Sequence, residues 1–197
     1  MATSTLLTKW NKVPAAVKQF VLRGLIILIA WKILYLAFLL PTRLIDKPLS
    51  HSVGAGTAWI LNLYTHSHNY IDKIEHGTEP TDNGPTDMPL DNVYFHQRIA
   101  VSIEDPCNGL ELFILYAGFI VCMPATLRRK VIFVISGILL IYIVNVIRCA
   151  WVAYVILYYP KYADFAHHYV FTFVVYGVII ALWLIFSRNV KQAHGEA

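Results

Sequence analysis

Charged residues are scarce in this sequence, and the scarcity indicates the class of protein. Lys, Arg, Asp and Glu together make up 14% of the 197 residues, whereas a typical soluble domain has about 25%. Hydrophobic residues account for 57% of the chain. Such a composition excludes a soluble enzyme, because there are too few charges to solvate its surface. The formal net charge of only +4 gives no reason to expect a nucleic-acid partner.

Cysteines are also few, and their spacing excludes two kinds of site. Cys107, Cys122 and Cys149 are widely separated and form no CxxC pair or metal-ligand cluster. Neither a disulfide framework nor a zinc site is therefore indicated, and no metal and no cofactor are expected. The first apolar stretch is too long for the core of a signal peptide, and no small-x-small site follows it, so no cleavable signal is expected.

The sequence consists mainly of long apolar stretches. A membrane-spanning helix needs about 20 mostly apolar residues. Four stretches meet this requirement and are predicted to span the bilayer: residues 20–40, 109–127, 131–158 and 165–186. The predicted fold is an all-α polytopic transmembrane helical bundle, with residues 1–197 forming one membrane domain in contact with the lipid bilayer.

Two segments between the first and second predicted spans are not expected to cross the membrane. Residues 52–64 are apolar but too short to cross, which predicts an interfacial or re-entrant helix. Residues 65–106 are polar and rich in Gly, Pro and acidic side chains, which predicts an extracytoplasmic loop. Within it, the alternation over 93–103 is typical of a strand or a hairpin arm.

Basic residues indicate the orientation. Short loops rich in Lys and Arg remain in the cytoplasm. With both termini cytoplasmic, the basic residues after the second and fourth spans lie inside as well: Arg128, Arg129, Lys130, Arg188 and Lys191. The acidic loop then lies outside a cytoplasmic (inner) membrane. If residues 52–64 also crossed, the cluster at 128–130 would be outside, so they are interpreted as non-spanning.

This topology brings three polar side chains to one membrane depth. Cys107 directly precedes the second span at the outer face. Arg148 lies about 27 Å along the third span, which starts at the cytoplasmic face, because a helix rises 1.5 Å per residue. His167 and His168 open the fourth span at the outer face. Each residue alone has an ordinary explanation, as packing, as an arginine reaching the headgroups or as interfacial anchors, so the hypothesis rests on their coincidence.

A thiol, a guanidinium and an imidazole at one place can support acyl transfer. A nearby cation lowers the pKa of a thiol and favours the nucleophilic thiolate. Histidine can pass a proton to a leaving amine, and Arg148 can stabilise an oxyanion. The substrate would be a peptide segment presented at the outer leaflet.

Three neighbouring residues are supporting candidates. Asn145 lies three positions before Arg148, on the same helical face, where it can orient the guanidinium. Glu111 shares a face with Cys107 and can pair with Arg148, pair with a histidine or bind substrate; a structural ion pair explains it equally well. Gly109 allows a close backbone approach at the start of the second span.

The motifs around these residues resemble a known family. Cys107-Asn108-Gly109-Leu110-Glu111 resembles the Cys-x-Gly motif of the exosortase/archaeosortase family. Asn145-Val146-Ile147-Arg148 is similar to its Asn-x-x-Arg motif, and a histidine opening the last helix is the third motif. All three occur in family order within residues 93–186. The spacing to Tyr176-Gly177 favours His168 over His167, and a histidine here points to the bacterial branch, in a compact form with fewer spans.

The resemblance implies a membrane protein-sorting transpeptidase or protease. Its partners would be membrane-anchored proteins bearing a C-terminal sorting signal, and its active site would face the periplasm or exterior. It implies Cys107 as nucleophile, Arg148 as transition-state stabiliser and His168 as general acid/base. Two other hypotheses remain: a non-catalytic membrane assembly or polysaccharide-export subunit, and a thiol redox protein, which is disfavoured because no second cysteine lies at the outer face.

Overall fold

The computed structural model describes residues 14–81, 84–165 and 171–195. Its helices are α1 (Ala15–Leu34), α2 (Asp46–Thr65), α3 (Leu110–Cys122), α4 (Leu127–Tyr158), α5 (Pro160–Phe165) and α6 (Phe171–Gly195). Its strands are β1 (Tyr70–Thr81), β2 (Gly84–Phe95) and β3 (Arg98–Ile103). A π-helical turn (Tyr35–Leu39) and the short helix Leu40–Thr42 continue α1, and a 3₁₀ turn (Asp105–Cys107) precedes α3.

The first helix is apolar on all sides. With its continuation it forms a stretch, Val17–Thr42, that is long and apolar enough to cross a membrane, and none of its most apolar window is buried inside the protein. A helix that is hydrophobic all round needs an apolar environment, which lipid provides. The helical path ends at Arg43, whose φ of 47° is left-handed.

Helix α4 is the second stretch with the length and composition of a span. Its 32 residues give a length of about 48 Å, whereas the hydrocarbon core of a bilayer is about 30 Å thick. Its last turns therefore extend beyond the membrane when its first turns lie at the opposite surface. The helix ends at Tyr158 because Pro160 cannot continue it.

Parts of the other two predicted spans are apolar helices in the structure. Among the residues described, the apolar stretches are Leu110–Cys122 and Phe173–Arg188, each shorter than a full span, and α6 itself continues to Gly195. Helix α3 ends at Cys122 rather than at residue 127, since the following Pro124 disfavours helical geometry at Met123. Four spans therefore remain a prediction, whereas a mainly helical protein with two spanning candidates is observed.

A three-stranded antiparallel sheet corrects the all-α prediction. Its order is β1-β2-β3, and the hairpin β2–β3 confirms the strand signal over 93–103. The turn of this hairpin includes His96, which has a φ of 56°. The long pairing of β1 with β2 is not evident in the sequence, because the Gly, Pro and acidic residues of this region are typical of loops.

Helix α2 joins the sheet to the helices. It has 20 residues and starts at Asp46, six residues before the apolar piece 52–64. The helix can start this early because Pro48 lies in its first turn, where proline is tolerated. Its buried residues recur every three or four positions: Asp46, Ser50, Val53, Gly54, Thr57, Ala58 and Leu61. This face packs against the sheet and the second half of α4.

The first half of α4 packs against α3 and α6. The centre of this core is Tyr116, which is fully buried and donates a hydrogen bond from its hydroxyl to the carbonyl oxygen of Phe133, at 2.8 Å. The ring lies directly over Gly137, where an added Cβ would come within 2.3 Å of its atoms. Glycine at 137 therefore permits this close contact between α3 and α4.

We expect Gly137→Ala to destabilise the protein by about 1–3 kcal/mol, the usual cost of overpacking a dense core. The measurement is thermal unfolding of the purified protein in detergent. Gly177→Ala is the matched control, because a Cβ at that helical glycine meets nothing within 4 Å and alanine favours helix. Equal unfolding temperatures for the two variants would contradict the close packing.

Candidate active site

The thiol of Cys107 and the guanidinium of Arg148 meet at the end of the sheet. Cys107 Sγ lies 3.9 Å from Arg148 Nη2, at the outer limit for a hydrogen bond to sulfur. Cys107 closes the 3₁₀ turn after β3, and its N–H donates to the carbonyl oxygen of Glu104 at 2.8 Å. Arg148 lies in the second half of α4, about 30 Å from the first residue of that helix.

Asn145 connects these two residues. Its Nδ2 donates to the backbone oxygen of Cys107 at 2.9 Å, and its Oδ1 accepts from Arg148 Nη1 at 3.1 Å. The side chain is fully buried, so both bonds form away from water and losing either would leave a buried polar group unsatisfied. The amide therefore determines both the position of the turn and the direction of the guanidinium.

Gly109 allows the turn to approach α4. Its φ is 90°, a left-handed conformation that favours glycine. An added Cβ would lie 3.2 Å from Asn145 Nδ2 and 3.6 Å from a ring carbon of Phe113. The backbone conformation therefore favours glycine between the thiol and helix α3, and a larger residue would also have to displace the Asn145 amide slightly.

Asn108 anchors the other side of the turn. It is fully buried, and its Nδ2 donates to Asp46 Oδ1 at 2.8 Å and to Ser50 Oγ at 3.4 Å. Its Oδ1 accepts from the N–H of Leu110 at 2.9 Å, at the start of α3. These contacts attach the turn to α2.

The partners of Asn108 were not predicted from the sequence. The available signal was the i, i+4 spacing of Asp46 and Ser50, which places two polar groups on one face of an otherwise apolar helix. An ion pair between Arg43 and Asp105 likewise joins the residue after the first helical segment to the turn. Neither contact is evident without knowing which helix lies beside the turn.

Two opposing effects act on the Cys107 thiol. Burial raises its pKa above the usual value, and the charge of Arg148 lowers it. Burial is the larger effect, so the thiol is mostly protonated at neutral pH. Deprotonation therefore depends on Arg148 and on any base that reaches the site.

Glu111 does not pair with Arg148 in the structure. Its Oε1 lies 2.9 Å from Lys32 Nζ of α1, and the two side chains are 65% and 59% exposed. An exposed pair of this kind contributes little to stability. The pair does place a charge of each sign beside Arg148, at the rim of the cavity described next.

A cavity of about 370 Å³ opens beside the guanidinium. It is bounded by α1, α3, α4 and α6, and its lining residues are mainly apolar: Leu28, Trp31, Lys32, Gly109, Glu111, Leu112, Ile114, Leu115, Arg148, Val175 and Tyr176. Since the exposed faces of α1 and α6 are apolar, the cavity is suited to a hydrophobic segment that reaches Arg148 from the lipid side.

Two histidines complete the predicted set, and the other two cysteines lie outside it. His167 and His168 lie outside the residues that the structure describes. Cys149 adjoins Arg148 in sequence but is buried in the packing between α4 and α2. Cys122 is buried at the far end of α3.

Comparison with known proteins gives one match. The family model described as transmembrane exosortase matches residues 22–185, a range that includes the turn of Cys107 and the whole of α4. No curated protein and no solved structure matches the chain.

We expect Arg148→Gln to move the pH dependence of Cys107 alkylation to higher pH. Removing the guanidinium removes the charge that lowers the thiol pKa, so less thiolate forms at a given pH. The measurement is the midpoint of the iodoacetamide rate against pH, in a chain whose other two cysteines are alanine. Using the midpoint separates the pKa from any change in access.

The matched control for this experiment is Arg98→Gln, which removes an exposed arginine at the β2–β3 turn. It should leave the midpoint unchanged. An unchanged or lower midpoint in Arg148→Gln would contradict the electrostatic contact between Arg148 and Cys107.

Proposed function

The chain belongs to the transmembrane exosortase family, and from this premise we propose that it is a membrane-embedded cysteine transpeptidase or protease. It cleaves proteins that carry a C-terminal tripartite sorting signal, at the extracytoplasmic face. The observation that carries the proposal is the 3.9 Å approach of Cys107 Sγ to Arg148 Nη2, oriented by a buried amide beside a membrane-facing cavity.

The reaction begins when His168, as general base, takes the proton of the Cys107 thiol and the thiolate attacks the scissile carbonyl carbon. A C–S bond forms, and the carbonyl oxygen becomes an oxyanion. Arg148 donates hydrogen bonds to this oxygen, in the manner of a preorganised oxyanion site. The positive charge that stabilises the thiolate before attack thus stabilises the oxyanion after it.

Collapse of the tetrahedral intermediate breaks the peptide C–N bond and leaves a thioester on Cys107. The leaving amine needs a proton, which we assign to His168, with His167 as the alternative. Water or an amine of an envelope anchor then attacks the thioester, releases the product and returns the thiol. The departing fragment is the C-terminal helix of the substrate, and the cavity beside Arg148, at about 370 Å³, is large enough for the first few side chains after the scissile bond.

The proposed topology has both termini in the cytoplasm and the site outside an inner membrane. It is supported by the basic cluster Arg128, Arg129 and Lys130 at the start of α4 and by the depth of Arg148 near the opposite end of the same helix. The distance between them, about 30 Å, equals the thickness of the hydrocarbon core. The sheet then lies outside the membrane.

Cys107→Ala should abolish processing of a substrate with a C-terminal sorting tail, with a rate at least about 10³-fold lower, as expected when a nucleophile is removed. The readout is the size of the substrate on a gel in cells that express each variant equally. Cys122→Ala and Cys149→Ala are matched controls that should process normally. Processing by Cys107→Ala at the wild-type rate would instead favour the assembly-subunit hypothesis.

Arg148→Lys should lower the processing rate by about 10²–10³-fold, the usual cost of losing an oxyanion donor, because lysine keeps the charge but loses the fork that spans Asn145 and the thiol. The substrate should still be recovered bound to the variant in a crosslinking pulldown. A wild-type rate for Arg148→Lys would show that charge alone suffices and would contradict the donor role.

A further inference from the structure

A second cluster of chemically active side chains lies between α2 and the sheet. His51 of α2, Asp72 of β1 and Asp91 of β2 bring one ligand atom each to a common point, and these atoms all lie within 4.8 Å of one another. His51 Nδ1 is 3.1 Å from Asp72 Oδ2 and 3.2 Å from Asp91 Oδ1. None of the three residues takes part in the reaction proposed above.

The two carboxylates are buried side by side. The side chain of Asp72 is 8% exposed and that of Asp91 is 5% exposed. Both oxygens of Asp72 are fully shielded, and neither forms a hydrogen bond of normal geometry with a residue that the structure describes. The carboxylate is pressed against α2 at Gly54, where an added Cβ would lie 2.6 Å from Oδ1.

This arrangement places two buried carboxylates against a single half-exposed imidazole. Two adjacent buried carboxylates are costly unless a cation lies between them, and a half-exposed imidazole supplies one charge only when it is protonated.

We propose that His51, Asp72 and Asp91 bind one divalent transition-metal ion, of which Zn²⁺ is the best fit. A tetrahedral zinc site with ligands at about 2.0–2.1 Å has edges of about 3.4 Å between ligand atoms, close to the two His–Asp separations. Imidazole favours Zn²⁺ over Ca²⁺ or Mg²⁺. His51 is 53% exposed, so water has access to the remaining coordination position.

The sequence did not reveal this site, because its three ligands come from separate elements and no metal-binding spacing links them. The short-range pattern of cysteines and histidines predicts no metal. Only the pairing of β1 with β2, which sets Asp72 opposite Val93 and thus near Asp91, and the packing of α2 over both strands create the cluster.

The ion would join the sheet to α2, and both elements continue to the Cys107 turn. Ser50, the residue before His51, contacts Asn108, which directly follows Cys107. Asp91 is paired with Ile103 in the sheet, the last residue of the strand that leads into the turn. The proposed ion is therefore structural and outside the reaction centre, and it stabilises the geometry of the turn from two sides.

The test uses the full-length protein in detergent, purified without a polyhistidine tag and stripped with a chelator. Titration with ZnCl₂ should show one saturable site by calorimetry, and metal analysis after dialysis should find one zinc per chain. At saturation the Tm should rise by about 5–10 °C, as expected for a ligand at about 100 times its Kd. Mn²⁺ should bind more weakly than Zn²⁺, and CaCl₂ should give no shift.

Asp72→Asn should lose the zinc-dependent shift while its metal-free Tm is equal to or above that of the wild type, since it removes a buried charge with little change in shape. His51→Gln should weaken zinc binding at least about tenfold, because even changes to residues behind the ligands cost that much. As His51 is half-exposed, this variant should also fold if Asp72→Asn does not.

Glu75→Gln and His68→Gln are matched controls, a carboxylate on the same strand and an exposed histidine outside the cluster. Both should bind zinc like the wild type. The proposal is overturned if the wild type takes up no zinc, or if the controls lose zinc binding to the same extent as the cluster variants. It is also overturned if Asp72→Asn lowers the metal-free Tm while no variant changes zinc uptake. The last result would assign the cluster as an ion pair alone.

Discussion

The buried amide of Asn145 is the contact on which the candidate site depends. It lies within the long helix α4 and is fully buried, yet it forms hydrogen bonds to the backbone of the Cys107 turn and to the guanidinium of Arg148. A buried amide that lost one of these partners would carry the full cost of desolvation. The turn and the arginine are therefore held in one arrangement, and the thiol meets the guanidinium as a result.

Helix α4 takes part in both the apolar helix bundle and the candidate site. Its first half packs with α3 and α6 around Tyr116, and its second half packs with α2 and the sheet. The change occurs near Asn145, so the site forms where the apolar bundle meets the sheet. Helix α4 has 32 residues and a length of about 48 Å, so it is long enough to contribute to both sets of contacts. The cavity beside Arg148 lies between α1, α3, α4 and α6.

Helix α2 supplies a second set of polar contacts, beside the Cys107 turn and the sheet. Asp46 and Ser50 hold Asn108 beside the thiol, and His51 and Gly54 face the buried Asp72 on the sheet. The apolar residues between them pack against α4 and the strands. Polar groups buried in this way restrict the ways in which an element can dock, because each needs its own partner. The same helix thus orients both the turn and the sheet.

The sequence alone determined the membrane class, the helix-rich fold, the approximate position of α1 and α4, and three residues that contact one another, Cys107, Asn145 and Arg148. Hydrophobic run length and short motifs are local properties, so Cys107, Asn145 and Arg148 could be selected without knowing the fold. The sheet, the early start of α2, the pairing of Glu111 with Lys32, and the partners of Asn108 could not. They arise from contacts between distant segments: strand pairing over a Gly- and Pro-rich region, a proline tolerated in a first helical turn, and buried polar groups satisfied across elements. Only tertiary packing determines which distant segment supplies each partner.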